Sequence, residues 1–328
     1  MSLVGTIAEK LQLSSEYIKK IERNASRLYK MYKIPKKGNG YRVIYQPSQE
    51  LKTLQYWLNR YVFDSLPVSK FSFAYTKGCS IKKNALAHKD SRYFLHLDLK
   101  NFFESITRHH LVDLLISNSK FFNCHGVYLE KQDIDFICNI CLRYGNLTIG
   151  SVCSPTISNR VMYEFDLEIK EVIGNDIIYT RYADDLVFSS IDFIPIDMIQ
   201  RVGTIAKKYK FGLNNLKTKF MSCTGRRIVT GLIIDNGKVS IGLKRRRKIK
   251  SMLYNKIVKG QGDSQRILGY LFFLKDIEPA YFNKIMLKYS HFGNVLEMLK
   301  NDRIIMSNLK HSMDEAAAVC DIRISRGE

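Results

Sequence analysis

Two adjacent acids, Asp184 and Asp185, sit in the run YTRYADDLVFSS (residues 179–190), which otherwise reads as apolar strand. A third, Asp98, closes another strand-like run, FLHLD (94–98). Neighbouring carboxylates repel, and a half-buried strand is a costly place for them. Two readings are open: the pair is the solvated tip of a hairpin, or it is a cradle for cations. If the two strands are neighbours in one sheet, the three carboxylates converge. Hard oxygen ligands at one point suit Mg²⁺, which prefers carboxylates, waters and substrate phosphates. Two such ions, roughly 3.5–4 Å apart, activate an attacking hydroxyl and stabilise the leaving oxygen in phosphoryl transfer. They also neutralise the crowded acids. Mn²⁺ is the expected substitute.

Those acids need rigid carriers, and the flanking pattern supplies candidates. Residues 177–189 read as a hairpin with the acids at its tip. In residues 92–106, alternation puts Leu95, Leu97 and Leu99 on one strand face and Phe94, His96 and Asp98 on the other. YRVIYQ (41–46) is a strand between the turn signal Gly38-Asn39-Gly40 and Pro47. Residues 48–66 begin with the cap Ser48 and continue with helical apolar spacing. RIVTGLIID and KVSIGL form a second hairpin around Asn236-Gly237. Residues 1–33 read as a helical segment, and the chain from about 244 onward as a basic helical one.

The chain has 328 residues and a formal net charge of +21. A globular protein this basic is expected to meet a polyanion, nucleic acid first and membrane surface second. The charge is densest after residue 240, where 17 Lys+Arg face 9 Asp+Glu, and it peaks at KRRRKIK (244–250). No apolar run reaches the ~18 residues that span a bilayer. The N-terminal stretch lacks a signal-peptide pattern, so a cytoplasmic protein without membrane contact is expected. The seven cysteines have irregular spacing. The CxxC of Cys138 and Cys141 lies in an apolar helical run with no second pair, which favours buried thiols over zinc.

With these residues in view, the sequence resembles the reverse transcriptases. RYADDLVFS (181–189) is similar to their YxDD motif, and FLHLDLKNFFESI (94–106) to their first catalytic-acid motif. RVIYQPSQELKTLQ (42–55), IGSVCSPTISNRVM (149–162) and FGLNNLKTKF (211–220) fall in the family's order. NALAHKD (84–90) and the VTG of IVTGLIID (228–235) resemble elements of the bacterial retron group. The resemblance covers about residues 30–275. It implies an α/β (α+β) right-hand polymerase, with an N-terminal helical segment (1–33), fingers and palm (34–243) and a basic helical thumb (244–328).

It further implies RNA-directed DNA synthesis from dNTPs. The enzyme would prime on a guanosine 2′-hydroxyl of a cognate structured noncoding RNA (msr-msd) and yield branched msDNA, in antiphage defence beside an effector protein. Asp98, Asp184 and Asp185 would form the metal site, with Asp184 the firmer ligand of the pair. Phe103 would pack under the nucleotide sugar and exclude a 2′-hydroxyl. Arg42 and Lys217 would contact the triphosphate or pyrophosphate, Tyr182 would lie near the primer end, and Gly150 would let backbone approach the templating pair. Asn84, His88, Val229, Thr230 and Gly231 would engage the RNA. Lys244, Arg245, Arg246, Arg247 and Lys248 would contact nucleic-acid backbone. Each has a plainer alternative: core packing for Phe103 and Tyr182, a buried hydrogen bond for Asn84 and His88, and solvated charge for the cations. The chain departs from the family pattern at Ile149, where glutamine is usual, and at Val152, where proline is usual, which bears on fidelity. Alternatives are another bacterial reverse transcriptase, such as an intron-type enzyme, and a nucleic-acid-binding scaffold that restrains an effector.

Overall fold

The apolar runs within 93–98 and 185–190 produce the two strands around which the first part of the molecule is assembled. The computed structural model describes residues 2–36, 38, 40–124, 128–222 and 224–302. Asn39 of the expected turn, Cys223, Cys320 and the end of the basic segment, 303–328, lie outside the described residues. The chain divides into two compact units between Thr230 and Gly231. This is ahead of the thumb start expected at 244, so the Asn236-Gly237 hairpin is grouped with the C-terminal helices.

In the first unit, α1 (Leu3–Leu11) and α2 (Ser15–Asn24) begin at serines whose hydroxyls accept the N–H groups of Gly5 and Tyr17. The helical segment expected through residue 33 ends in a 3-10 turn at Ala25–Arg27, and Tyr29–Pro35 is a strand instead, β1. It pairs antiparallel with β2 (Tyr41–Pro47), with Tyr29 opposite Pro47 and Pro35 opposite Tyr41. The mixed basic and apolar spacing of 29–35 suits either structure locally, and cross-strand pairing decides it.

The central sheet contains β3 (Tyr93–Asp98), β4 (Ile178–Tyr182), β5 (Asp185–Ser190) and β6 (Lys219–Met221) in the order β4-β5-β3-β6. Every pairing in it is antiparallel. Phe94, Leu95, Leu97, Leu186, Val187 and Phe188 are all buried, so both faces of the inner strands are covered. The α-helices of this unit that follow β2 are α3 (Gln49–Leu58), α4 (Ile81–Ala87), α5 (Phe102–Ser105), α6 (Arg108–Ser117), α7 (Ser119–Cys124), α8 (Lys131–Cys141), α9 (Ser154–Val161), α10 (Tyr163–Ile173) and α11 (Met198–Lys208). α8 is the apolar helix expected around the CxxC. Its Cys138 and Cys141 are buried, and burial pushes the Cys138 thiol up to about 12, which suits inert core thiols. The unit ends in a short strand, β7 (Arg227–Val229).

The second unit opens with β8 (Leu232–Asp235) and β9 (Lys238–Ser240). Asn236 and Gly237 both take positive φ in the tight turn between them. Three helices follow: α12 (Leu243–Lys259), α13 (Ser264–Ile277) and α14 (Pro279–Lys288). Leu253, Ile267, Leu271, Leu274, Phe282 and Ile285 are among their buried residues. No helix among the described residues is long and apolar enough to cross a membrane.

One buried ion pair ties the sheet to its helices. Arg181 of β4 donates from Nε and Nη2 to the two carboxylate oxygens of Asp166 on α10, each at 2.8 Å, and both side chains are fully buried. Tyr179 Oη donates to Asp166 Oδ1 at 2.8 Å, and Arg181 Nη1 donates to Asn159 Oδ1 on α9 at 3.2 Å. Removing one partner strands a charge in the core, a loss of about 3–5 kcal/mol. Arg181→Met or Asp166→Asn is therefore expected to lower the unfolding free energy by about that much in urea titrations. The paired change Arg181→Met/Asp166→Leu should cost less than the sum of its parts.

Candidate active site

The β3–β5 register sets Asp98 directly opposite Asp185, and Cβ atoms so placed are about 4.5–5.5 Å apart on one face of the sheet. Asp184 occupies the two-residue turn before β5, after Ala183, which has a left-handed φ of 57°. The Leu99 N–H donates to the Asp184 carbonyl at 2.9 Å and fastens the turn to the end of β3. The three acids thus share one edge. Burial, and after it the charge of Asp98, raises the Asp184 carboxyl above the usual range. Burial and the like charges of Asp184 and Asp98 push Asp185 up to about 6, although Asp185 keeps solvent on one side.

Lys217 opposes that repulsion. Its Nζ donates to Asp98 Oδ2 at 2.6 Å, and this hydrogen bond holds the ammonium above its ordinary value. Asn214 adds a second brace: its Nδ2 donates to Asp98 Oδ1 at 3.2 Å, and its N–H donates to the Asp98 carbonyl at 2.8 Å. Among the described residues no three His, Cys, Asp or Glu side chains form a ready metal cage. The donor chemistry nevertheless fits a hard divalent cation. The acids supply oxygen donors only, and burial followed by the charge of neighbouring acids raises the carboxyls of Asp184 and Asp185, a cost that a cation would relieve.

Arg42, exposed on β2, acts electrostatically on Asp184 and on Tyr75. Phe103 is half-buried on α5, with its ring centroid 6.4 Å from that of Tyr75. Tyr182 closes β4 opposite Asp185 and is packed partly against the core. Gly150 is closely approached by β2. A Cβ there would lie 2.7 Å from the Tyr45 carbonyl oxygen and from Ile44 Cγ2. Its φ of 106° and that close approach serve contact with β2, where the Tyr45 N–H donates to the Ile149 carbonyl at 2.8 Å.

Val152 also acquires a role. Its N–H, which proline would lack, donates at 3.2 Å to Oε1 of the buried Gln55, which also accepts from Ser151 Oγ. Gln55 Nε2 donates to the Ile140 carbonyl and the Tyr29 hydroxyl, each at 2.9 Å. One amide thereby locks the loop that carries both departures from the family pattern.

The residues expected to touch RNA through NALAH are enclosed. His88 is fully buried, with Nδ1 2.6 Å from Ser189 Oγ and Nε2 2.7 Å from Thr180 Oγ1. It bridges the two strands of the catalytic hairpin. Asn84 is also fully buried, and its amide has no hydrogen-bond partner among the described residues. Neither side chain reaches a surface, so direct nucleic-acid contact is corrected to support of the hairpin from behind. The VTG element ends β7 at Val229 and turns at Thr230 and Gly231, where one continuous strand is expected. Val229 is buried, Thr230 takes φ 46° and Gly231 φ 79°. Thr230 Oγ1 donates to the Ile81 carbonyl at 3.1 Å, at the start of α4, so these two sequence elements brace one another.

The basic run divides in the same way. Arg245 Nη1 donates to the Gly231 carbonyl at 2.7 Å, and Arg246 Nε to Glu278 at 2.7 Å, within the second unit. Lys248 donates to the Tyr270 hydroxyl at 3.1 Å. Lys244 and Arg247 are exposed on the first turns of α12. Inspection of sequence misses Asn214, Tyr75, Gln55 and the Arg181–Asp166–Asn159 network. Only Asn214 carried a signal, as it lies inside the motif that ends in Lys217.

A family model described as reverse transcriptase (RNA-dependent DNA polymerase) matches residues 34–272. The chain is similar to the Retron Ec83 reverse transcriptase of Escherichia coli, 35% identical over 273 residues, which are 80% of this chain and 86% of that protein. It is 28% identical to the Retron Ec86 reverse transcriptase of the same species over 300 residues, 88% of this chain and 91% of that one. A solved telomerase from Candida albicans overlaps 86% of this chain and 61% of its own length, at TM-score 0.44 and 14% identity.

Burial, and then the neighbouring His96, hold the His88 imidazole down at about 3, against the usual 6.5. Below pH 6.5 the unfolded chain takes up a proton that the folded one refuses. The contribution to stability is thus complete above 6.5 and lost progressively as pH falls towards 3. His88→Gln should flatten the fall of unfolding free energy across that window relative to wild type, as read from urea titrations at stepped pH.

Proposed function

The chain belongs to the reverse transcriptase family, among the retron reverse transcriptases, and from that membership we propose how its acids and basic surface are used. Its activity is RNA-directed DNA polymerisation, and its fold class is that of the right-hand polymerases. Reverse transcriptases act with divalent metal ions. Asp98, Asp184 and Asp185 are the residues that would hold two Mg²⁺, and the observation that carries this reading is the register of Asp98 against Asp185. Bound there, the ions supply charge neutralisation on the triphosphate and activation of the attacking hydroxyl.

The remaining roles belong to the chain's own side chains. Arg42 clasps the incoming triphosphate in a guanidinium fork. Lys217, seated on Asp98, is placed to give a proton to departing pyrophosphate. Phe103 packs beneath the sugar and excludes a 2′-hydroxyl, and Tyr182 borders the primer end. Residues 34–243 act as fingers and palm, and 244 onward as thumb. The nucleophile for the first addition is a guanosine 2′-hydroxyl in a cognate structured noncoding RNA. It attacks the α-phosphorus of a dNTP, the bond to pyrophosphate breaks, and a branched RNA–DNA product grows. We place this synthesis in the cytoplasm, within an antiphage system that includes an effector protein.

The direct test is Mg²⁺-dependent dNTP incorporation with the RNA encoded beside the gene. Wild type should extend that RNA, and Asp184→Ala/Asp185→Ala should abolish incorporation. No incorporation by wild type on its own RNA would overturn the reading. Salt titration separates the basic residues. Neutralising Lys244 and Arg247 should lower the slope of log affinity against log salt by about 1–2. Arg246→Ala should show chiefly as lost stability, since its guanidinium is committed to Glu278.

A further inference from the structure

Tyr75 stands in a segment, 71–79, whose other residues are fastened on both sides. The Arg181 N–H donates to the Phe71 carbonyl at 2.7 Å, and the Phe73 N–H returns a bond to the Arg181 carbonyl at 2.8 Å. Ser72 Oγ donates to Asn159 Oδ1 at 2.8 Å. Asn159 Nδ2 donates to the Ala74 carbonyl at 2.8 Å and contacts Thr76 Oγ1 at 3.4 Å. Ala74 is fully buried, and the Cys79 N–H closes a turn onto the Thr76 carbonyl at 3.0 Å. The catalytic hairpin and α9 thereby dictate the path on each side of Tyr75.

At that position the backbone takes φ 55°, in the left-handed region, which bulky L-residues avoid and glycine does not. Burial does not offset the strain, because Tyr75 is 53% exposed. Its ring lies beside that of Phe103 at 6.4 Å and 52°, and Asp184, Tyr182 and Arg42 all act on its phenol. A strained, over-determined and exposed aromatic within electrostatic reach of Asp184 is the pattern of a residue held out for a ligand.

We propose that Tyr75 is a nucleotide-binding residue, and that its ring and that of Phe103 form one aromatic wall against the sugar of the incoming dNTP. This rests on the polymerase reading of the acid site and adds a second, sequence-distant wall to it. Contact with the sugar is independent of the base, so all four dNTPs should depend on it equally.

The test is steady-state incorporation on the cognate RNA with Tyr75→Gly, Tyr75→Asn and Tyr75→Phe. Glycine and asparagine both accept the left-handed backbone, so folding should be kept, with thermal midpoints equal to or above wild type. Tyr75→Gly and Tyr75→Asn should each raise KM about tenfold for every dNTP with kcat changed far less, and Tyr75→Phe should restore most of the loss. Wild-type KM values in the stable glycine and asparagine variants overturn the proposal, as does a rise confined to one templated base. Failure of wild type to incorporate any dNTP overturns the acid-site reading instead, and the two failures are distinguishable.

Discussion

Holding three carboxylates on one sheet edge costs free energy whenever they are ionised, and the rest of the first unit can be understood as what keeps them there. The decisive constraint is the antiparallel register of β3 and β5, which sets Asp98 across from Asp185. A one-residue slip would turn Asp98 to the opposite face, away from Asp185, and put Leu97 in its place. Burial of Phe94, Leu95, Leu97, Leu186 and Phe188 makes such a slip prohibitive. Behind the sheet, Arg181 is neutralised by Asp166 and carries no charge imbalance into the core. In front, Lys217 and Asn214 hold Asp98 in a single orientation.

This division between a charged edge and a neutralised interior explains why several polar residues that look like binding groups are internal. His88 is a hydrogen-bond bridge between Thr180 and Ser189. The VTG turn fastens the end of the first unit to α4 through Thr230. Arg245 and Arg246 meet a backbone carbonyl and Glu278. A positive run at a helix N-terminus is unfavourable for the helix dipole. Pairing of Arg245 with the Gly231 carbonyl and of Arg246 with Glu278 offsets part of that cost and leaves Lys244 and Arg247 as outward charge.

The acids, the hairpin that carries them and the Asn236-Gly237 turn are all legible from residue type and spacing, because each rests on contacts between near neighbours in the chain. The helix of Cys138 and Cys141 is legible for the same reason. The strand at 29–35 is not, since its pattern suits a helix as well and only β2 selects between them. Gln55 is illegible in another way. It reads as one polar position of an amphipathic helix, yet it fixes a loop almost a hundred residues away through Val152. Tyr75 carries no local sign at all. Its conformation is imposed by Asn159 and Arg181, which lie far along the chain.

The sequence by itself determined which groups can do chemistry: three carboxylates on strand ends, a basic surface and the order of the motifs. Those properties belong to individual side chains and to local periodicity, and they survive without knowledge of neighbours. Only the tertiary structure decided which polar groups face outward. Asp98 gains its meaning from Asp185 across the sheet, and His88 loses its apparent one to Ser189 and Thr180. Burial and hydrogen-bond partnership arise between distant segments, so no window of sequence contains them.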